Sequence, residues 1–157
     1  MTSLVVYYSR TGKTKKVGNL ISEKLSCDME EIFDTKKRSG ILGFIKSGRD
    51  AMRKRLTILK EIDKNPDLYD LVIIGTPIWA SNMSPPIRTY ISEHKDKFKN
   101  VAFFCTEGSR GGLKCFENME KLCDKKPMAT LEINKKEIKK EIYIDKIKDF
   151  VEELKKS

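Results

Sequence analysis

The chain holds one tryptophan, one histidine and four cysteines in 157 residues. Cys27, Cys105, Cys115 and Cys123 form no Cys-x-x-Cys pair, and with His94 alone beside them they offer no metal-ligand spacing. Reduced and mostly buried thiols are expected, with His94, in the charged stretch "SEHKDK", exposed near a helix end. No apolar run approaches the ~20 residues needed to cross a bilayer. The first residues, "MTSLVVYYS", lack the basic leader and small-residue cleavage site of a signal peptide. A structural metal, a disulfide scaffold and a membrane span are thereby set aside, and a cytoplasmic protein without a membrane partner is expected. A G-x-G-x-x-G fingerprint for a pyrophosphate is absent too.

Acidic residues are scarce in one place. From Lys36 to Lys60 there are nine Lys or Arg against a single acid, Asp50, so this segment carries +8 of the net +9. Such a field suggests an anionic partner. Aromatic residues that could stack on bases are not interleaved with it, so no nucleic acid is expected.

Against these absences stand short apolar runs in regular alternation with helical patterns. "LVVYY" (4–8), "LVIIG" (71–75) and "VAFFC" (101–105) read as central strands covered on both faces, with weaker strands at 29–33 and 128–133. Helical spacing follows each: Val17, Leu20, Ile21 and Leu25; Ile87, Tyr90 and Ile91; Leu113, Phe116, Met119 and Cys123; Ile147, Phe150, Val151 and Leu154. Ile41, Ile45, Met52, Leu56 and Leu59 also fit one face of a helix, or of two short helices broken near Gly48. Of these, Ile41, Ile45, Met52 and Leu56 are expected to face the sheet, leaving Lys46, Arg49, Arg53, Lys54 and Arg55 largely in water. Five alternations over residues 1–157 predict a single doubly wound α/β domain with a parallel sheet and helices on both faces. "NKKEIKKEIY" (134–143) reads as an irregular charged connection.

In such a sheet ligands sit beyond the carboxyl ends of the strands, which selects three loops: 9–14, 76–84 and 106–112. The first, "SRTGKT", ends like a nucleotide P-loop. The glycine that should open that motif is replaced by Tyr7, and neither "LVIIGT" nor "VAFFCT" supplies an acid for Mg²⁺, so a nucleotide hydrolase is excluded. What remains is a metal-free anion cradle of Ser9, Thr11 and Thr14 around Gly12 at a helix N-terminus. An ordinary turn capped by Thr11 or Thr14 is the competing reading.

"SRTGKT" fits the [ST]-x-T-G-x-T phosphate loop of flavodoxins, which this chain resembles over nearly its whole length. "GTPIWASNMSPP" and "FFCTEGSRGG" are similar to that family's two flavin-flanking loops. The resemblance implies a flavodoxin-like five-stranded sheet of order 2-1-3-4-5 that binds FMN, the arrangement for which flavodoxin is itself the standard example. It places Ser9, Arg10, Thr11, Gly12, Lys13 and Thr14 on the phosphate. Thr76, Pro77, Ile78 and Trp79 would border one side of the isoalloxazine, with Trp79 against the ring, and Thr106, Glu107, Gly108 and Gly112 the other. Two features depart from the family: the third loop has no aromatic residue, and the chain is basic. The resemblance implies an electron carrier between redox proteins, here with an acidic partner docking on 36–60. An NAD(P)H-dependent reductase of quinones or small molecules is the alternative.

Overall fold

Leu4 to Val6 are branched apolar side chains, and such a run is stable in a sheet only where both faces are covered. In the computed structural model, which describes residues 1–36, 38–108 and 110–156, they lie in a strand buried at every position. Lys37 of the basic segment, Ser109 of the third loop and the terminal Ser157 lie outside the described residues. The elements are β1 (Ser3–Tyr7), α1 (Lys13–Leu25), β2 (Asp28–Glu31), α2 (Gly40–Met52), β3 (Leu71–Trp79), β4 (Asn82–Met83), α3 (Pro85–His94), β5 (Asn100–Glu107), α4 (Gly112–Cys123), β6 (Thr130–Asn134), α5 (Lys135–Lys139) and α6 (Tyr143–Lys156).

The sheet runs β2-β1-β3-β5-β6 with all neighbours parallel, which is the expected 2-1-3-4-5 order once the short β4 is set aside. Two apolar cores flank it. Val5, Tyr7, Ile73 and Phe104 pack against α1 and α6, whereas Leu4, Val6, Val72, Ile74 and Phe103 pack against α3 and α4. The alternation of side chains along each strand supplies both faces. Gly75 lies directly beneath the Phe104 ring, where any Cβ would collide with it.

Several expectations are corrected. The stretch 76–83, expected as loop, continues β3 to Trp79 and turns back through Ala80 and Ser81, both left-handed (φ 49° and 58°), so that β4 pairs antiparallel with the end of β3. Within 134–143 there is a short helix, α5, because Asn134 and Glu137 form a reciprocal capping box. His94 is half-buried against Tyr90 rather than exposed. Cys105, Cys115 and Cys123 are buried as expected.

The largest correction concerns α2. It ends at Met52, and the expected inner stripe points outward: Ile41 is 81% exposed, Ile45 60%, Met52 65% and Leu56 57%. The inner face is instead Gly43, Ser47, Asp50 and Ala51. The cause is a buried ion cluster. Arg38, itself buried, donates from Nε to Asp34 (3.0 Å) and from a terminal nitrogen to Asp50 (3.3 Å) and Ser47 (3.4 Å). Lys36 and Arg55 also reach Asp50, at 3.5 and 3.4 Å. A charge removed from water must meet its partners, so the polar arc of α2 turns inward over Arg38. Gly43 permits the approach, since a Cβ there would strike the Arg38 backbone.

Burial alone would raise the Asp50 pKa, but Lys36 and Arg38 outweigh it and hold the carboxyl below its ordinary 3.8. A depressed carboxyl contributes stability that is complete above the unfolded pKa and disappears as pH falls through the folded value. Asp50→Asn is therefore expected to destabilise the protein by about 3 kcal/mol at neutral pH, because Arg38 loses a buried counter-charge. Urea unfolding should show that difference shrinking in acid.

Candidate cofactor site

The turn between β1 and α1 is closed by its own hydroxyl: Ser9 Oγ accepts from the Gly12 amide at 3.1 Å. Gly12 takes φ +90°, with nothing within 4 Å of where a Cβ would stand. It forms the N-cap of α1, and no side chain caps that end. The cap expected of Thr11 or Thr14 in an ordinary turn is thus absent, and the first-turn amides remain open to an anion. Thr14 is turned inward, its hydroxyl 2.7 Å from that of Thr106 at the end of β5. That bond joins the first loop to the third.

A cavity of about 290 Å³ opens at this junction. Arg10, Thr11, Lys13 and Thr14 line it from the first loop, Pro77, Ile78 and Trp79 from the second, and Thr106, Glu107 and Gly108 from the third. The remaining sequence-selected residues stand behind this wall. Ser9 and Gly12 shape the turn. Thr76 is fully buried, accepting from the Ser84 amide (2.9 Å) with its hydroxyl against that of Ser84 (3.1 Å). Gly112 begins α4 against the Glu132 carboxyl and borders a neighbouring cavity of about 550 Å³ with Glu107.

Trp79 is only 8% exposed. Tyr8 meets its ring edge-on, with centroids 5.6 Å apart and planes at 87°, and the Arg38 guanidinium lies 5.7 Å from the ring centre. One edge of the indole lines the cavity while the rest belongs to the core.

Two lining residues were missed from sequence. Phe44, from α2, stacks under the Arg10 guanidinium at 5.2 Å. Lys135 enters from α5. The run "NKKEIKK" held the signal for Lys135, but no periodicity tied it to a strand end.

The field at the cradle is cationic. Partial burial, then Lys135, Arg10 and Lys139, push the Lys13 ammonium below its ordinary pKa. Cations crowded in this way are relieved by an anion. Glu107, from the third loop, has one buried carboxyl oxygen with no hydrogen-bond partner among the described residues. Burial, then Glu132 and Glu137, push its pKa up to about 7, with Lys146 opposing. Cys105 and Cys115 are buried thiols whose pKa burial raises, so neither is an activated nucleophile. Among the described residues no His/Cys/Asp/Glu group could hold a metal ion. The uncapped amides, Gly12, the threonine hydroxyls and Lys13 fit a terminal phosphate, and Pro77, Ile78, Trp79 and Gly108 line the same cavity beside it, where a ring attached to that phosphate would lie.

A parallel sheet with an anion cradle at the reversal of strand order defines a mononucleotide-binding α/β protein. The chain belongs to the flavodoxin family, whose sequence pattern it matches over residues 2–154. Its fold is similar to that of a flavoprotein in complex with FMN from Lactobacillus acidophilus NCFM, at 20% identity and a TM-score of 0.74, covering 88% of this chain and 97% of that one. A candidate flavoprotein from Bacteroides uniformis is 25% identical with a TM-score of 0.72, covering 85% and 90%. The flavodoxin of Streptococcus pneumoniae TIGR4 is 12% identical, with a TM-score of 0.58 over 98% and 97%. No curated protein matches this chain by sequence.

The Glu107 carboxyl gives a pH signature. Its folded pKa lies above the unfolded value, so the folded state holds an extra proton between the two, and stability falls as pH rises through that window. In the ligand-free protein, Glu107→Gln should remove this fall and leave the variant the more stable above about pH 7. Unfolding midpoints from about pH 5 to pH 8 measure it.

Proposed function

We propose that this protein binds FMN and works as a small electron carrier. The observation that supports this reading most is the uncapped, cation-lined cradle tied by the Thr14–Thr106 bond to a slot walled by Pro77, Ile78 and Trp79. Thr11, Thr14, Lys13 and the amides of the first turn would hold the phosphate, with Arg10 and Lys135 completing its field. Trp79 and Ile78 would cover one side of the ring, and Thr106 to Gly108 the other. FMN, when bound, supplies reversible one- and two-electron transfer. The chain's part is to fix the ring, keep water from its inner edge and leave its outer edge reachable.

Among the described residues the cavity is lined by no His or Cys, which suits a carrier better than an enzyme. The alternative is an NAD(P)H-dependent reductase, and one observation favours it: Gly108, on the cavity wall, is exposed, with nothing among the described residues within 4 Å of a Cβ position. Anaerobic mixing with NADH or NADPH separates the two. Rapid loss of yellow absorbance without a partner enzyme would assign the reductase; persistence of the colour until dithionite is added would assign the carrier.

Mass analysis of the released cofactor should give FMN. Recovery of FAD, or of no flavin after reconstitution with excess FMN, would overturn the proposal. Free FMN at about 100 times its dissociation constant should stabilise the fold by roughly 2.7 kcal/mol. Thr14→Val should weaken FMN binding by about tenfold or more, as loss of a hydrogen bond to a charged group does. Titration followed by Trp79 fluorescence, quenched as FMN binds, gives both constants.

A further inference from the structure

The sequence suggested that the basic segment docks an acidic protein through cations projecting above a buried apolar stripe. The structure reverses the premise. Ile41 and Leu42 are 81% and 83% exposed, and Phe44, Ile45 and Met52 stand in water beside them. Leu56 and Ile58 extend the patch beyond the helix end. Lys46, Arg49 and Arg53 are exposed on the side of the helix that also carries Leu42, and with Lys54 they make no ion pair among the described residues. The cations that do pair with Asp50 are Lys36, Arg38 and Arg55.

We infer that α2 is an interfacial helix that seats the protein on an anionic bilayer, its aliphatic side chains entering the lipid and its free cations meeting the headgroup phosphates. A helix with an apolar face, a cationic flank and no length to span is the form such helices take. The absence among the described residues of a helix long and apolar enough to cross a membrane concerns spanning, not lying at the surface. Three observations select this occupant. Five of the seven exposed apolar side chains, Ile41, Leu42, Ile45, Leu56 and Ile58, are aliphatic, whereas the apolar types enriched in protein interfaces are Tyr, Trp, Phe and Met, represented here by Phe44 and Met52 alone. The unpaired cations repel a second copy of the same face and attract anionic lipid. The inner face is already committed to the Arg38 cluster, so α2 cannot roll to hide its outer one. Phe44 belongs both to this face and to the cofactor cavity, which places the mouth of the cavity at the membrane surface.

The test uses the FMN-reconstituted protein and vesicles of two parts phosphatidylcholine to one part phosphatidylglycerol, with pure phosphatidylcholine as control. Co-sedimentation should show at least about tenfold tighter binding to the charged vesicles, weakening with salt. The triple variant Ile41→Asn, Leu42→Asn, Ile45→Asn keeps every charge and should lose most of that binding with its flavin content unchanged. Should it fail to fold, Leu42→Cys carrying an environment-sensitive fluorophore gives an independent reading: a blue shift on the charged vesicles, quenched by brominated acyl chains. No binding, equal binding to both vesicles, or binding without insertion of the label overturns the inference. A dimer in sedimentation velocity that the triple variant abolishes assigns the face to a second copy, and a complex with a soluble acidic redox protein that the same variant abolishes, vesicles being ignored, assigns it to a protein. Flavin content and reactivity are read separately, so failure here is distinct from failure of the carrier proposal.

Discussion

Burial of β1, β3 and β5 on both faces is the constraint from which the site follows. Leu71 to Gly75 and Val101 to Cys105 carry no charged or hydroxylic side chain, and their peptide groups are satisfied on both edges by parallel neighbours. Polar chemistry can begin only where the strands leave the sheet. Because Tyr7 pairs with Gly75, and Pro77 with Thr106, those exits fall on one edge within a residue or two of each other. The 2.7 Å bond between Thr14 and Thr106 then joins segments 92 residues apart. At 2.7 Å it has the ordinary length of a hydroxyl–hydroxyl bond, and it fixes the first loop against the third.

That much was legible in the sequence, because a two-sided strand and a tight turn leave local marks. Apolar runs ending at Ser9, Thr76 and Thr106 marked the exits, and Gly12 marked the turn. The end of β3 was less legible. Pro77 suggested a loop, yet a proline is tolerated where the ladder is ending, and the following hairpin rests on left-handed Ala80 and Ser81, residue types that do not announce such a turn. Trp79 was expected against a ligand, but its neighbours Tyr8 and Arg38 come from distant parts of the chain.

The orientation of α2 was misread for a reason that generalises. Helical periodicity identifies a face but not the side to which it points, and the rule that apolar faces turn inward has one strong competitor. A buried charge left without a partner costs more than several exposed aliphatic side chains. The signal was the single acid in a +8 segment. An isolated Asp50 amid so many cations is poorly explained as a solubilising residue and well explained as their shared counter-ion, and its partners Lys36, Arg38 and Arg55 converge on it. Ser47 lies one helical turn before it on the same arc, and both are buried.

The positive charge of this chain therefore does three separate jobs. Lys36, Arg38 and Arg55 are spent on Asp34 and Asp50 and hold α2 to the domain. Arg10, Lys13 and Lys135 crowd the cradle, where partial burial and then mutual repulsion lower the Lys13 pKa and make an anionic occupant favourable. Lys46, Arg49, Arg53 and Lys54 face water and contribute to the outward field of the segment. In the first group Arg38 and the two carboxylates it meets are shielded from added salt by burial, whereas the last group is exposed to screening over about 8 Å at physiological ionic strength. Ionic strength should consequently act on what the protein touches long before it acts on how the protein is built. Phe44 leans on Arg10 at the edge of the cofactor cavity and belongs at the same time to the exposed face of α2, and Arg38 joins the ion cluster to the Trp79 ring.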